Sequence, residues 1–462
     1  MIFWSYALQE KKRVMTGKER IVAVLTGKET DKTPWVPFAG VHSGKLKGYT
    51  AKEVSQDGDK LLESLIEVNK MYKPDGQPVM FDLQIEAELM GCDLLWAEDA
   101  PPTVSSHPLE STNDIPTYIP AADEGRLALE IDVMKRLKTA VGAETALYGL
   151  VTGPFTLASH LRGTNIFMDM ILDPDYVHKL MDYTTDVAIA LSKNFIDAGM
   201  DVIAAVDPLI SQISPDHFRE FMHEPFLRLF TAIREGGAFS SFFVCGNATM
   251  NIGPMCETTP DSLSVDENVN LAEAKKVTDS YDVVIGGNIP LTSVMLFGNQ
   301  QDNMKATVDL MDSVSKDHLI IAPGCDMPYD IPIENTLAIE QAVHETELVR
   351  EMVKNYEISD LVFEGVLPEY DKLKKPLVEV FTLDSATCAA CTYMLATAMD
   401  AKAHYGDKID VVEYKYTSPQ NIARCGAMGV KQLPSIYING ELKYSSIIPR
   451  REEIIGEIGK YL

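Results

Sequence analysis

No stretch of this sequence approaches the roughly 18 uninterrupted apolar residues that a membrane-spanning helix requires, so no membrane span is expected. A basic patch is missing too. Lysine and arginine number 41 against 68 aspartates and glutamates, and a net charge of -27 repels nucleic-acid phosphate, so no nucleic-acid partner is expected. The one dense basic cluster, in QEKKRV near the N-terminus, fits a solvated helix face. The apolar start MIFWSYAL is too short for a signal-peptide core and is followed rather than preceded by positive charge, so a cytoplasmic location is expected. Cysteine is scarce, seven in 462 residues, and its placement suits a reduced compartment in which thiols react rather than staple.

What is present is an ordinary globular composition, 46% hydrophobic and 24% charged, in a chain longer than one core usually encloses. Eight short apolar segments end near Gly, Pro or an acidic residue: TPWVPF at 33–38, PVMFD at 78–82, ALYGLVTG at 146–153, DVIAAVD at 201–207, SFFVCG at 241–246, DSLSVD at 261–266, VVIGGNI at 283–289 and HLIIAPG at 318–324. Stretches with apolar residues every three or four positions separate most of them, as helices do. This alternation predicts an α/β fold, a (β/α)8 TIM barrel, with a doubly wound open sheet as the alternative. A barrel gathers the strands' carboxyl ends at one mouth, where His42, Asp82, His160, Asp207, Cys245, Asn288 and Cys325 would meet.

The pattern changes after KKP at 374–376, which divides a barrel of residues 1–373 from a second domain of residues 377–462. The second part reads β-α-β-α-β-β-α, with Ile-Asn-Gly-Glu at 438–441 as a two-residue hairpin turn. Cys388 follows a strand and opens a helix, where unpaired amides stabilise a thiolate, and Cys391 lies one turn later to resolve a mixed disulfide. Pro434 follows Leu433 just before a strand and fits a cis peptide. This combination resembles the thioredoxin and glutaredoxin-like fold. Half of a zinc site or an inert pair are the other readings of C-A-A-C, and Cys425 reads as a small buried apolar residue.

Cys245 in FFVCGN and Cys325 in APGCDMP close two proposed strands beside glycines, as ligands of a soft metal or as buried structural cysteines. From about residue 15 to 370 the chain resembles the uroporphyrinogen decarboxylase superfamily, in particular its corrinoid-dependent methyltransferase branch. The residues that carry the resemblance are GKERIVAVLTGKETDKTPWVPF, VMFDLQIEAELMGCD, GPFTLASHLRG, AGMDVIAAVDPLISQISPDHFREFMHEP, CGNATMNI, DSLSVDENVNLAEAKK, GGNIP and GCDMPYDIPIEN. The resemblance implies a barrel whose mouth binds zinc through a His-x-Cys motif and a distant cysteine, matched here by Cys245 and Cys325. Phe243 stands where the histidine would be. That leaves the third ligand to His160, Asp207 or an outside group, or leaves zinc weak or absent.

Asp82 matches the family's substrate-facing aspartate and would protonate a leaving group or orient a substrate; Glu86 follows it toward the mouth. Asn247 and Asn288 would bind substrate or corrinoid, or simply form turns. The arginine-rich N-terminal motif that would hold a porphyrinogen's carboxylates is absent from FAGVHSGKLKG, which disfavours decarboxylation. The resemblance therefore implies methyl transfer between a small methylated substrate or thiol and the cobalt of a corrinoid. No Asp-x-His-x-x-Gly cobalamin-binding run occurs, so the corrinoid (cobalamin) is expected to come with a partner protein or as a free cobamide. A homodimer is also implied. The alternative is a thiol-disulfide oxidoreductase with a ligand-binding barrel.

Overall fold

The computed structural model describes residues 14–358, 363–385 and 389–462. Seven parallel strands run in chain order around one curled sheet: β1 (Gly76–Pro78), β2 (Ala146–Thr152), β3 (Val202–Val206), β4 (Phe239–Val244), β5 (Ser262–Val265), β6 (Val284–Ile289) and β7 (Leu319–Pro323). The segment at Trp35 lies between the two edges. Its neighbours exchange hydrogen bonds with Ile321 of β7, and the Asp75 amide beside β1 donates to the Trp35 carbonyl at 2.9 Å. The ring this makes is consistent with a TIM-like barrel. The expected first strand, TPWVPF, is reduced to a single bridge, because Pro34 and Pro37 have no N–H to give a ladder.

Side chains alternate across these strands with period two. Tyr148 and Leu150, Val202, Ala204 and Val206, and Ile320 and Ala322 fill the interior with Val36, Phe38, Phe81 and Phe243. Their neighbours Leu147, Val151, Ile203, Ala205, Leu319 and Ile321 face the surrounding helices. Being buried on both faces is why these segments read as unbroken apolar runs in the sequence. The long helix Pro174–Asp197 starts where Asp173 accepts from the Tyr176 amide and Pro174 takes the first helical position. The connection from β4 to β5 holds only the short helix Ile252–Glu257, and the one from β1 to β2 carries a small two-stranded ladder and the helix Gly125–Val141.

A second, four-stranded sheet is ordered β9-β8-β10-β11, with β8 (Leu377–Thr382), β9 (Asp410–Lys415), β10 (Ser435–Ile438) and β11 (Glu441–Ser445). β8 runs parallel to β9 and antiparallel to β10, and β11 returns antiparallel to β10. The helices Ala389–Tyr405 and Arg451–Gly459 pack Met394, Ala398, Ile454 and Ile458 on Val378, Val380, Ile436 and Ile438. Asn439 and Gly440 both have positive φ, 47° and 79°, the backbone of a tight hairpin turn. The Leu433–Pro434 peptide is cis. This sheet sits against the barrel: the Tyr393 hydroxyl, on the helix Ala389–Tyr405, lies 2.7 Å from Ser159 Oγ, and Ile448 packs on both cores.

Candidate active site

Cys245 and Cys325 leave the ends of β4 and β7, 80 residues apart in sequence, and are joined as a disulfide with their Cα atoms 5.7 Å apart. Both are partly exposed. Each is followed or preceded by a glycine at a close approach. A Cβ on Gly246 would meet Ser211 Oγ at 2.8 Å, and one on Gly324 would meet the Glu267 amide at 2.7 Å. Beneath the pair lies an aromatic cluster. Phe243 lies tilted against Phe38 with centroids 4.7 Å apart and meets Phe81 edge-on at 5.5 Å, fully buried among the apolar side chains of the interior.

A group of acidic side chains lines the same end. Asp82 Oδ1 accepts from the Gln84 amide at 2.9 Å, and Oδ2 accepts from the guanidinium of Arg126, which comes from the helix Gly125–Val141. With both oxygens so occupied, Asp82 is arranged as an acceptor rather than a proton donor. Arg126 also donates to Glu88 at 2.6 Å and lies over the Trp96 ring at 4.9 Å, while its buried Nη2 finds no partner among the described residues. Glu86 turns inward and accepts from the Thr152 amide and hydroxyl at 2.8 and 2.7 Å. Burial raises the pKa of Glu86 and lifts that of Glu130 well above the carboxylate range, with the neighbouring carboxylates adding to the effect.

Two further acids stand next to the cysteines. Asp326 accepts from the Gly40 amide at 3.0 Å, and burial drives its carboxyl well above the ordinary value, with Asp82 contributing. Glu267 accepts from the Leu291 amide and is pushed up to about 8, by burial first and by Asp266 second.

The remaining expected site residues are placed as follows. Asp207 is fully buried at the start of the helix Pro154–Arg162, where it accepts from the Phe155 and Thr156 amides and from the Thr156 hydroxyl at 2.6 Å. That is a helix cap, and both of its oxygens are taken up by the start of that helix. Asn288 donates to the Asp266 and Val269 carbonyls at 2.8 and 2.7 Å, and Asn247 Oδ1 accepts from Thr249, so both amides organise turns. His160 is buried on the helix Pro154–Arg162, with Nδ1 unpartnered among the described residues, and burial lowers its pKa to about 3. Cys391 is buried, and its sulfur accepts from the Leu383 amide at 3.2 Å. Pro434 closes the cis peptide before β10. Cys388 lies outside the described residues.

His42 is fully buried, with Nε2 at 2.8 Å from the Tyr72 hydroxyl and Nδ1 at 3.0 Å from the Tyr329 carbonyl. Burial depresses its pKa to about 4. A histidine depressed in the folded state contributes stability above its unfolded pKa and loses it as pH falls toward the folded value. We expect this histidine to remove about 3 kcal/mol between pH 6.5 and 4, measured by urea unfolding. His42→Gln should flatten that slope, and an unchanged slope would contradict the assignment.

The family model for uroporphyrinogen decarboxylase matches residues 16–346. The chain belongs to the uroporphyrinogen decarboxylase family. Within that family it is 27% identical over 328 residues to the methylcobamide:CoM methyltransferase MtbA of Methanosarcina acetivorans, covering 69% of this chain and 95% of that protein. It is 28% identical over 339 residues to the methylcobamide:CoM methyltransferase MtaA of Methanosarcina barkeri, covering 71% and 97%. A solved methyltransferase from Methanosarcina mazei shares the fold with a TM-score of 0.66 and 23% identity, over 72% of this chain and 99% of that one. The chain is an enzyme, and a methyltransferase.

The zinc site that the family resemblance implies does not fit the donors as arranged. Cys245 and Cys325 are bonded to each other, and the position of Phe243 is an apolar one closed by the rings of Phe38 and Phe81. Neither suggested substitute completes a set, because Asp207 caps a helix and no group of three His, Cys, Asp or Glu side chains among the described residues could hold a metal ion. Sequence reasoning missed Arg126, Asp326 and Glu267. Asp326 and Glu267 directly follow residues already assigned to strand ends, and that adjacency was the available signal; Arg126 is 44 residues from Asp82, and nothing local pointed to it.

Proposed function

We propose that the chain is a corrinoid-dependent methyltransferase. Its barrel, residues 1–373, moves a methyl group between a small methylated substrate or thiol and the cobalt of a corrinoid carried by a partner protein. Residues 377–462 form a thioredoxin-like domain that supports this chemistry by thiol exchange. The observation that carries the reading is similarity along 95% or more of the length of two methylcobamide:CoM methyltransferases. The strand order β9-β8-β10-β11 and the C-x-x-C motif support the second domain. A cytoplasmic location and a homodimer belong to the same reading; no helix among the described residues is long and apolar enough to cross a membrane.

A thiol that is to accept a methyl group at the mouth must lose its proton. The corrinoid supplies the methyl group or receives it. Glu267, whose backbone meets Gly324 and whose carboxyl is pushed up to about 8 by burial and by Asp266, takes that proton, since a base works best when its pKa lies near the working pH. Asp82, fixed by Arg126, orients the substrate, and the unpartnered Nη2 of Arg126 offers a donor to an acceptor oxygen on it. With the pair reduced, Cys245 and Cys325 present thiols at the mouth. No step is assigned to zinc.

The test is anaerobic spectrophotometry of methylcobalamin with reduced full-length protein and a panel of thiols that includes coenzyme M. Protein-dependent loss of the methylcobalamin absorbance is expected, falling by about a hundredfold in Glu267→Gln. Rates equal to protein-free controls with every thiol would contradict the reading. The bonded state of Cys245 and Cys325 favours a second reading, a thiol-disulfide oxidoreductase with a ligand-binding barrel. It predicts disulfide reduction with no methyl transfer in the same samples.

A further inference from the structure

We infer that the small domain is a movable lid on the barrel: shut, it stands on the rim of the mouth between the ends of β2 and β5 and passes only small molecules, and it swings off to admit a corrinoid-bearing partner. Three contacts put it there. The helix Pro154–Arg162 starts where β2 ends, and all nine of its residues are buried, although a helix on the outside of a barrel ordinarily keeps one face in water. At Ser159 the small domain supplies the cover. Tyr393, on the helix Ala389–Tyr405, places its hydroxyl 2.7 Å from Ser159 Oγ and meets Phe167 edge-on with centroids 6.4 Å apart. The same helix packs on the turn Pro208–Gln212, directly after β3.

The third contact follows β5. Burial raises the pKa of Tyr416, just after β9, and the Glu267 carboxylate adds to it, so the two side chains are neighbours across the join. β3 and β5 flank β4, whose end carries Cys245. The lid therefore occupies the rim on both sides of that strand, yet Cys245 and Cys325 keep partial exposure. A corrin ring is far broader than a thiol, and its cobalt must come into line with the acceptor at close range. A folded domain on the rim shuts such a ring and its protein out while a small reagent still enters.

The join is built to part. Tyr393 packs with the core of the barrel, whereas Met394, Ala398, Ile454 and Ile458 make the small domain's own core, with Ile448 touching both. Each unit therefore keeps its centre when the two separate. The hydroxyls of Tyr393 and Ser159 exchange one hydrogen bond for water, at modest net cost. Between the last barrel helix, Thr346–Val353, and β8, regular structure among the described residues is limited to the short turn Tyr370–Lys372. The Tyr370 hydroxyl donates to Glu379 of β8 at 2.9 Å, so this end of the tether travels with the small domain. Domains of one chain joined in this way move relative to each other by default, and lids over active sites use such motion.

The identity of the partner rests on the proposed methyl transfer, but the test uses neither corrinoid nor methyl donor, so the two fail separately. Reduced full-length protein is treated with iodoacetamide or with a maleimide carried on a long polyethylene glycol chain, and the thiols remaining at Cys245 and Cys325 are followed by mass spectrometry. Tyr393→Phe, which loses the hydrogen bond and keeps the ring, should raise the polymer rate by about fivefold. Tyr393→Asp, which sets a carboxylate against Phe167, should raise it by about tenfold or more through a larger open population. The iodoacetamide rate should stay within about twofold of wild type in both, because small molecules pass the shut lid and the barrel remains folded. Polymer rates equal to wild type in Tyr393→Phe and in folded Tyr393→Asp, or iodoacetamide rates that rise in step with them, would overturn the proposal.

Discussion

Arg126→Met lowers the unfolding free energy of the barrel by about 3–5 kcal/mol. The guanidinium lies at the centre of a buried acidic group: Asp82, whose side chain is 0% exposed, and Glu88 bond it directly, while Glu130 sits close enough for the Arg126 charge to oppose its raised pKa. Methionine keeps most of the apolar volume, so the loss reports on charge rather than on a cavity. Removing one member of such a pair leaves the other buried without compensation, and the penalty exceeds what the pair contributed to begin with. Adding Asp82→Asn to Arg126→Met should therefore recover about 2 kcal/mol, a coupling that a double-mutant cycle by urea unfolding resolves. A loss below about 1 kcal/mol in the single variant would show that Asp82 takes up a proton or a water instead.

Oxidation of the barrel pair is the second large effect. The disulfide closes 80 residues, and a loop of that length constrains the unfolded chain by about 4 kcal/mol in the chain-entropy account. Oxidised protein should resist urea more than dithiothreitol-treated protein by that order. Cys245→Ala should be insensitive to the reductant. Coincident unfolding curves for oxidised and reduced wild type would mean that the two sulfurs do not bond in solution.

Much of this architecture was legible in the sequence. The order of the strands followed from apolar runs ending at glycine or an acid, and the hairpin at Asn439-Gly440 from its need for two positive φ values. The meeting of Cys245 and Cys325 followed from two strand ends sharing a mouth. What the residues did not disclose was direction. Asp207 follows a strand end as Asp326 does and His42 opens the short helix His42–Lys45, yet one caps a helix and the other is locked between Tyr72 and Tyr329, because nearby amides, a hydroxyl and a carbonyl claim them first. Phe243 stands where the family resemblance implies a ligand, and in three dimensions it packs with the rings of Phe38 and Phe81. The clasp of Arg126 on Asp82 joins two elements through an irregular 82–125 connection whose path no local pattern encodes.

One measurement tests the central claim most directly: the rate of methyl loss from methylcobalamin in the presence of coenzyme M, with the redox state of Cys245 and Cys325 assayed by alkylation in the same samples. The account predicts protein-dependent transfer when the pair is reduced and a fall of about tenfold or more when it is oxidised, because the disulfide withdraws both thiols from the mouth. Equal rates in the two states, or no transfer in either, would contradict it.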